Sequence, residues 1–179
     1  MKKLLLHVCC APCSTSVIER LEKEYELSVL FYNPNIHPET EYQKRLVISK
    51  DYSKCKKIPF IKTDYDLKLW SEFIKGTEAE TEKSGIRCKK CIEFRMRETA
   101  QFAKREAYNS FTTTLSVSPH KNVRHIHEIG EKLGRELGID YYAGDFKKKD
   151  GYKRSIDLSK EYSMYRQNYC GCIFSNHNK

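Results

Sequence analysis

The sequence lacks any run of roughly 18 apolar residues, so we expect no membrane-spanning helix and no membrane partner. It also lacks internal repeats and low-complexity stretches. The apolar run at residues 4–6 is too short for a signal peptide, and it leads into cysteines where a cleavage site would have small residues. These absences argue against a secreted or membrane protein and predict a location in the reducing cytoplasm.

The chain has 179 residues, of which 39% are hydrophobic and 12% aromatic. We interpret residues 1–179 as one domain that ends in a basic, aromatic segment over residues 144–179. The formal net charge of +9 fits a polyanionic partner such as a nucleic acid. The alternative is a basic protein whose charge serves solubility alone.

Seven of the eight cysteines fall into three tight clusters drawn from distant parts of the chain. The clusters are Cys9, Cys10 and Cys13, then Cys88 and Cys91, then Cys170 and Cys172. Disulfides are disfavoured, because near-adjacent cysteines make poor partners and a chain of this length can bury a core without cross-links. Soft thiolates select zinc, copper(I) or iron–sulfur clusters, so the pattern predicts a single thiolate-rich metal site.

The number of thiols bears on the identity of the metal. A structural zinc site closes at four ligands, whereas a [4Fe–4S] cluster with four cysteines would leave thiols for a second metal or for catalysis. Two other functions stay open on the residues alone: a zinc-stabilised RNA-binding module without catalysis, and a thiol–disulfide oxidoreductase. The eighth cysteine, Cys55, stands alone and is interpreted as a small buried hydrophobic residue outside the site.

The order of strands and helices predicts the fold class. Short apolar or β-branched runs predict strands at residues 3–8, 27–32, 58–61, 110–115 and 139–142. Helices are predicted at 14–24, 38–54, 67–74, 91–106 and 123–138, with polar loops at 76–87 and 116–122. Ser14 to Ser16 are expected to cap the first helix, and Tyr42 with Leu46 to face inward from the second. This alternation predicts an α/β fold with a mostly parallel, doubly wound sheet.

Polar residues follow several of the predicted strands at their carboxyl ends. The first strand leads into the Cys9 cluster, the second into Asn33, the fourth into residues 116–121, and the fifth into Asp145 and Lys147. In parallel α/β sheets the ligand crevice lies beyond the carboxyl ends of the strands. We therefore expect a cysteine-rich metal site at this edge.

Four separated motifs resemble those of a known family. They are Leu-His-Val-Cys-Cys-Ala-Pro-Cys-Ser at residues 6–14, Arg-Cys-Lys-Lys-Cys at 87–91, Asp-Phe-Lys-Lys at 145–148, and Tyr-Arg-Gln-Asn-Tyr-Cys-Gly-Cys at 165–172. In this order they resemble the cobalamin-independent epoxyqueuosine reductases. The resemblance covers nearly the whole chain, and the cysteine pattern shows no departure from it.

The resemblance implies reduction of epoxyqueuosine to queuosine at the wobble position of a tRNA anticodon, with electrons from an unidentified external donor. It implies a [4Fe–4S] cluster and a nearby mononuclear iron. It also implies a fold similar to the adenine-nucleotide α-hydrolase-like (HUP) proteins. The chain lacks their Ser-Gly-Gly-x-Asp-Ser phosphate loop, and cysteines occupy that place after the first strand. The likeness in fold therefore does not extend to use of ATP.

Three side chains besides the cysteines are candidates for roles near the metal. Asp145 could complete the ligands of a second metal, although a turn or capping aspartate is the plainer interpretation. His120 is the candidate general acid, weighed against an exposed loop histidine. His7, by contrast, is expected to be a core histidine.

The segment after residue 144 mixes basic and aromatic side chains, which can follow phosphates and stack on splayed bases. The alternative is an ordinary solvated face. The candidate tRNA-binding residues are Lys147, Lys148, Lys153, Arg154, Tyr165 and Arg166.

Overall fold

The computed structural model describes residues 1–80 and 85–175. Part of the expected loop at 76–87 and the last four positions of the 144–179 segment lie outside the described residues. A five-stranded parallel sheet has the order β3-β2-β1-β4-β5. Its strands are β1 (Lys2–His7), β2 (Tyr25–Phe31), β3 (Phe60–Lys62), β4 (Ser110–Thr113) and β5 (Asp140–Tyr141).

Six α-helices connect and follow these strands within the described ranges. They are α1 (Ala11–Leu21), α2 (Glu39–Cys55), α3 (Leu67–Ile74), α4 (Ile86–Arg105), α5 (Val123–Leu137) and α6 (Gly151–Glu161). Among the residues described, none of the helices combines the length and apolar character needed to cross a membrane. The predicted α/β class and parallel sheet are confirmed.

Helices cover both faces of the sheet, because side chains alternate along each strand. Leu4 and Leu6 point to one face, where they join a core built with α1. Leu5 points to the other, where it packs with Phe111 and with Met96 of α4. Both faces of the central strands are buried, which explains why the strands read as nearly continuous apolar runs in the sequence.

The strand order places a topological switch point at β1. The chain moves from β1 through β2 to β3 on one side, and β4 then pairs with β1 on the other. Loops after β1 and β4 leave the sheet in opposite directions, which opens a crevice at their carboxyl ends. Cys9, two residues beyond the end of β1, donates its backbone N–H to the Thr114 hydroxyl oxygen at 3.4 Å, so the two loops meet at this point.

Several predicted boundaries differ from the structure, and two of them lie at the crevice. Helix α1 begins at Ala11 rather than Ser14, with Cys10 at the N-cap, because Pro12 is well tolerated in a first helical turn. Strand β4 ends at Thr113, whose hydroxyl oxygen accepts the N–H of Leu115 and starts a 3₁₀ turn.

The segment after residue 144 contains a helix that the sequence pattern did not predict. Helix α6 buries Gly151, Ser155 and Ser159, a stripe of small residues one turn apart. A Cβ atom at Gly151 would collide with the carbonyl oxygen of Phe146, so only glycine fits this approach. The small residues that this helix buries form no hydrophobic periodicity in the sequence, so the pattern did not predict the helix.

Cys55 was also expected to be buried, and this was wrong. It is exposed at the end of α2. Because α2 runs back from the carboxyl edge to the start of β3, Cys55 lies at the opposite edge of the sheet from the crevice. Its exclusion from the predicted site is consistent with that position.

Candidate metal centre

The first cysteine cluster forms a compact group of sulfur atoms. The Sγ atoms of Cys9, Cys10 and Cys13 all lie within 4.8 Å of one another, and the Cys9–Cys10 distance is 3.9 Å. In the part of the chain that is described, this is the one group of three or more possible metal ligands gathered so closely. Cys10 and Cys13 lie at the start of α1, where free backbone N–H groups stabilise thiolate charge.

Ionisation within this trio is unequal. Hydrogen bonding with Cys10 and then Cys13 holds the pKa of Cys9 well below its usual range. Hydrogen bonding with Cys10 and Cys9, followed by burial, raises the pKa of Cys13, and the pKa of Cys10 is raised as well. Cys9 is therefore the readiest thiolate of the three.

The second cluster lies on the first turns of α4, where residues three apart share a face. Cys91 is buried and accepts the indole N–H of Trp70 at 3.3 Å, whereas Cys88 is half-buried. The Glu80 carboxylate accepts the backbone N–H groups of Ile86 at 2.8 Å and Arg87 at 2.6 Å. This contact caps α4 and fixes the position of both cysteines.

The third cluster reaches the other two from the C-terminal segment. The Lys121 ammonium donates to the Cys170 sulfur at 3.4 Å, and the positive charge lowers the pKa of Cys170. Cys172 packs against the hydrophobic cluster that contains Trp70 and Cys91. Cys170 therefore contacts the loop after β4, and Cys172 packs against the start of α4.

Arg45 of α2 holds this pair in place. Its guanidinium donates to the carbonyl oxygens of Cys170 at 3.0 Å and Tyr169 at 3.3 Å, and to the Glu41 carboxylate at 2.7 Å. Gly171 has φ of +104°, and a Cβ there would lie 2.9 Å from Arg45 Nη1. The turn between the two cysteines therefore depends on both a glycine and a buried arginine.

A second buried arginine lies among the clusters. Arg95 of α4 is 2% exposed and donates to the Cys91 carbonyl oxygen at 3.2 Å. The cysteines close enough to act on it electrostatically as thiolates are Cys91, Cys170, Cys9 and Cys172. One guanidinium is thus within electrostatic range of all three clusters. The sequence analysis identified neither this arginine nor Arg45. The one feature of the sequence that could have indicated them is an arginine among the apolar residues of a helix's buried face.

His7 is a core residue, as expected. Burial, with the nearby charge of Arg95, lowers its pKa to about 4, so the imidazole is neutral. Its Nε2 lies 3.1 Å from the Tyr32 carbonyl oxygen and must donate there, which leaves Nδ1 to accept the Thr113 hydroxyl at 2.9 Å. This neutral histidine ties the ends of β1, β2 and β4 together beneath the cysteines.

Asp145 lies after β5 at the same edge of the sheet, in a cleft lined by α5. Its Oδ2 is 3.6 Å from the Lys148 ammonium, and His127 is near enough to feel its charge. Its Oδ1 is buried without a hydrogen-bond partner among the described residues. No close contact joins Asp145 to a thiol within those residues. The Ser116 hydroxyl donates to the Gly144 carbonyl oxygen at 2.6 Å, which fixes the loop beside it.

The structure places His120 at the surface, in the loop after β4. The residue is exposed, and its backbone N–H donates to the Ser118 hydroxyl oxygen at 3.3 Å. The next residue is Lys121, which contacts Cys170. His120 is thus one position away from a side chain of the cysteine site.

The candidate tRNA-binding lysines differ in their surroundings. Lys147 donates to the Lys121 carbonyl oxygen at 3.4 Å, which places it beside the cysteine site. Lys148 faces Asp145, and Lys153 is exposed on α6. Lys147 therefore contacts the loop that carries the lysine bound to Cys170.

The other candidates have partners within the protein. Arg154 forms two hydrogen bonds with Glu19, at 2.7 and 2.9 Å. The Tyr165 hydroxyl donates to Glu41, and the Lys44 ammonium lies 3.4 Å from the centre of the Tyr165 ring. Arg166 donates to Ser155 and Ser159 and stacks over Tyr152. These contacts help to hold the C-terminal segment against α1 and α2.

Comparison with known proteins identifies one family. A family model described as Epoxyqueuosine reductase QueH matches residues 4–178 and so spans all three cysteine clusters. The chain is 40% identical over 175 residues to the epoxyqueuosine reductase QueH of Acinetobacter baylyi, covering 97% of this chain and 80% of that protein. It is 37% identical over 180 residues to the protein of the same name from Thermotoga maritima, covering 98% and 91%. It is 36% identical over 178 residues to the epoxyqueuosine reductase QueH of Streptococcus pyogenes serotype M1, covering 96% of this chain and 69% of that protein.

Proposed function

Because this chain belongs to the epoxyqueuosine reductase QueH family, we propose that it reduces epoxyqueuosine to queuosine at the wobble position of a tRNA anticodon. It is an oxidoreductase of the queuosine pathway. Removal of the epoxide oxygen as water consumes two electrons and two protons and leaves a carbon–carbon double bond. The thiol trio of Cys9, Cys10 and Cys13 carries the proposal, since it supplies soft donors where this fold binds ligands.

The donor set fits an iron cofactor. Four of the seven clustered thiols would hold a [4Fe–4S] cluster, and the remaining thiols with Asp145 would hold a mononuclear iron. Support comes from the close approach of three sulfurs and from the buried, unpartnered Oδ1 of Asp145. When bound, the cluster would supply single electrons and the second iron would polarise the epoxide oxygen as a Lewis acid.

Proton delivery and substrate positioning are assigned to residues of the crevice. His120 is proposed as the proton donor, because an imidazole exchanges protons near neutral pH and this one follows β4 at the carboxyl edge. Cys170 and Cys172 are held toward the site by Arg45, which fixes the C-terminal wall of the crevice. The substrate base is expected to enter next to Cys170, which is exposed.

Binding of tRNA is assigned to the basic residues of the C-terminal segment. Lys147 is the strongest candidate because it lies beside the site, and exposed Lys153 could follow phosphates farther along. Arg154 is a weaker candidate because Glu19 already neutralises it. Electrons would come from an external donor. A reducing cytoplasm would suit these free thiols.

One anaerobic experiment tests the proposal. The protein is reconstituted with iron and sulfide, its iron, sulfide, zinc and visible absorbance are measured, and it is mixed with tRNA that carries epoxyqueuosine. A brown protein that converts the nucleoside to queuosine under reducing conditions is the expected result. A colourless zinc protein that binds tRNA without converting it would support a binding module. Conversion through a reversible disulfide without metal would support thiol–disulfide chemistry.

A further inference from the structure

Arg95 stands out because it is a buried charge without the usual kind of partner. Arg95 is 2% exposed, yet no carboxylate within the described ranges forms an ion pair with its guanidinium. A buried guanidinium is costly unless anions and hydrogen-bond acceptors surround it. The groups that act on this one electrostatically are cysteines of the three clusters, which become anionic when they lose their protons to bind a metal.

The position of Arg95 is fixed by backbone and amide groups. Nε donates to the Cys91 carbonyl oxygen one helical turn earlier, at 3.2 Å. Nη1 donates to Asn33 Oδ1 at 3.4 Å. Asn33 is itself oriented, because its Nδ2 donates to the Val8 carbonyl oxygen at 2.8 Å. The guanidinium is therefore held at the carboxyl ends of β1 and β2, between the backbone of Cys91 and an amide that contacts the residue before Cys9.

We propose that Arg95 is a positioning residue whose fixed positive charge raises the reduction potential of the thiolate-bound cluster. This inference rests on the proposed function, since it needs a cluster in the site. Four thiolates make a [4Fe–4S] centre net negative, and adding an electron makes it more so. A buried cation nearby stabilises the reduced form more than the oxidised form, and cluster potentials are known to respond to local charge and burial.

The competing explanation is that Arg95 only fills space and links α4 to Asn33. If Arg95 acts only by packing, any change in the shape of its side chain should alter the potential of the cluster. If it acts electrostatically, only substitutions that remove the positive charge should do so. Arg95→Met keeps an unbranched apolar stem and removes the charge, and Arg95→Lys keeps the charge without the planar guanidinium. Comparing these two variants separates the explanations.

The measurement is the midpoint potential of the cluster. Wild type, Arg95→Met and Arg95→Lys are reconstituted anaerobically, assayed for iron and sulfide, and titrated with reductant while the reduced cluster is followed by electron paramagnetic resonance. Arg97→Met is the control, because Arg97 lies on the same helix but pairs with Glu93 and Glu136 near solvent.

We expect the potential of Arg95→Met to fall, so that the ratio of reduced to oxidised cluster at a fixed potential drops by about tenfold, or about 59 mV for one electron. Arg95→Lys should recover most of this shift, and Arg97→Met should match wild type. Loss of the cluster in Arg95→Met but not in Arg95→Lys would also support the role of charge.

An unchanged potential in Arg95→Met would overturn the inference and leave the proposed function intact. Equal shifts, or equal loss of cluster, in the Met and Lys variants would overturn it in favour of packing. A wild-type protein that takes up no cluster would instead overturn the proposed function and this inference with it.

Discussion

Replacing Arg45 with methionine should release the C-terminal cysteines from the proposed metal site. The change removes two hydrogen bonds to the carbonyl oxygens of Tyr169 and Cys170, and it removes the partner of Glu41. The side chains of Arg45 and Glu41 are 2% and 10% exposed, so the carboxylate would be left nearly buried and unpaired. Among the side chains of the described residues, only Tyr165 would continue to donate to it.

The size of the effect follows from this burial. Breaking a buried ion pair by removing one partner costs about 3–5 kcal/mol. For a chain of this length, each kcal/mol lowers the melting temperature by about 2–4 °C, which gives a fall of roughly 6–20 °C. Iron content after anaerobic reconstitution should fall as well, because Cys170 and Cys172 lose their support.

The chain offers a matched control for this experiment. Arg124 and Glu128 are also an arginine–glutamate pair one helical turn apart, at 2.8 Å, but their side chains are 85% and 57% exposed. Arg124→Met should cost at most about 0.5 kcal/mol, because solvent screens such pairs. Arg45→Lys should recover part of the stability but little of the iron content, since lysine cannot reach both carbonyl oxygens and Glu41 with a planar fork. Wild-type melting temperature and iron content in Arg45→Met would refute the reasoning.

Three further outcomes are expected. Cys9→Ala should lose both bound iron and epoxide reduction in anaerobic assays. Cys55→Ala should keep both, because Cys55 is exposed at the other edge of the sheet. Epoxide reduction by Cys9→Ala without bound iron would contradict a catalytic cluster. Lys147→Ala should weaken tRNA binding and reduce the dependence of the binding constant on salt by about one counterion. Arg154→Ala should cause a smaller change, because Glu19 already pairs with that arginine. Filter-binding titrations at several salt concentrations measure this dependence, and an equal dependence in all proteins would remove Lys147 from the interface. Asp145→Ala should bind tRNA normally but fail in single-turnover reduction, and a wild-type rate would make Asp145 a turn residue.

The sequence predicted those parts of the fold that depend on local pattern. Strand β1 was predictable because Leu4 to Leu6 form an apolar run that both faces of a parallel sheet require. The Cys9 cluster was predictable as part of the crevice because it follows that strand. Helix α6 was not, since the residues it buries include Ser155 and Ser159, which give no apolar periodicity.

Arg45 and Arg95 show why the rest of the site was not predictable. Arginine on a helix is normally exposed, so its position on a buried stripe carries little weight in one sequence. Arg45 acts on carbonyl oxygens of residues more than 100 positions away, and Arg95 acts on thiols from three segments. Partners of this kind are brought together by the sheet topology, and no spacing rule along the chain identifies them.

The contact between Trp70 and Cys91 has a practical consequence for spectroscopy. Trp70 is the only tryptophan in the sequence, it is 1% exposed, and its indole N–H donates to the Cys91 sulfur at 3.3 Å. Light absorbed at the red edge, where tyrosine does not absorb, therefore excites one fluorophore next to one cysteine of the site. Its emission should be quenched when a coloured centre forms beside it. The protein thus carries an intrinsic optical reporter, with which assembly of the site can be followed in real time without any label.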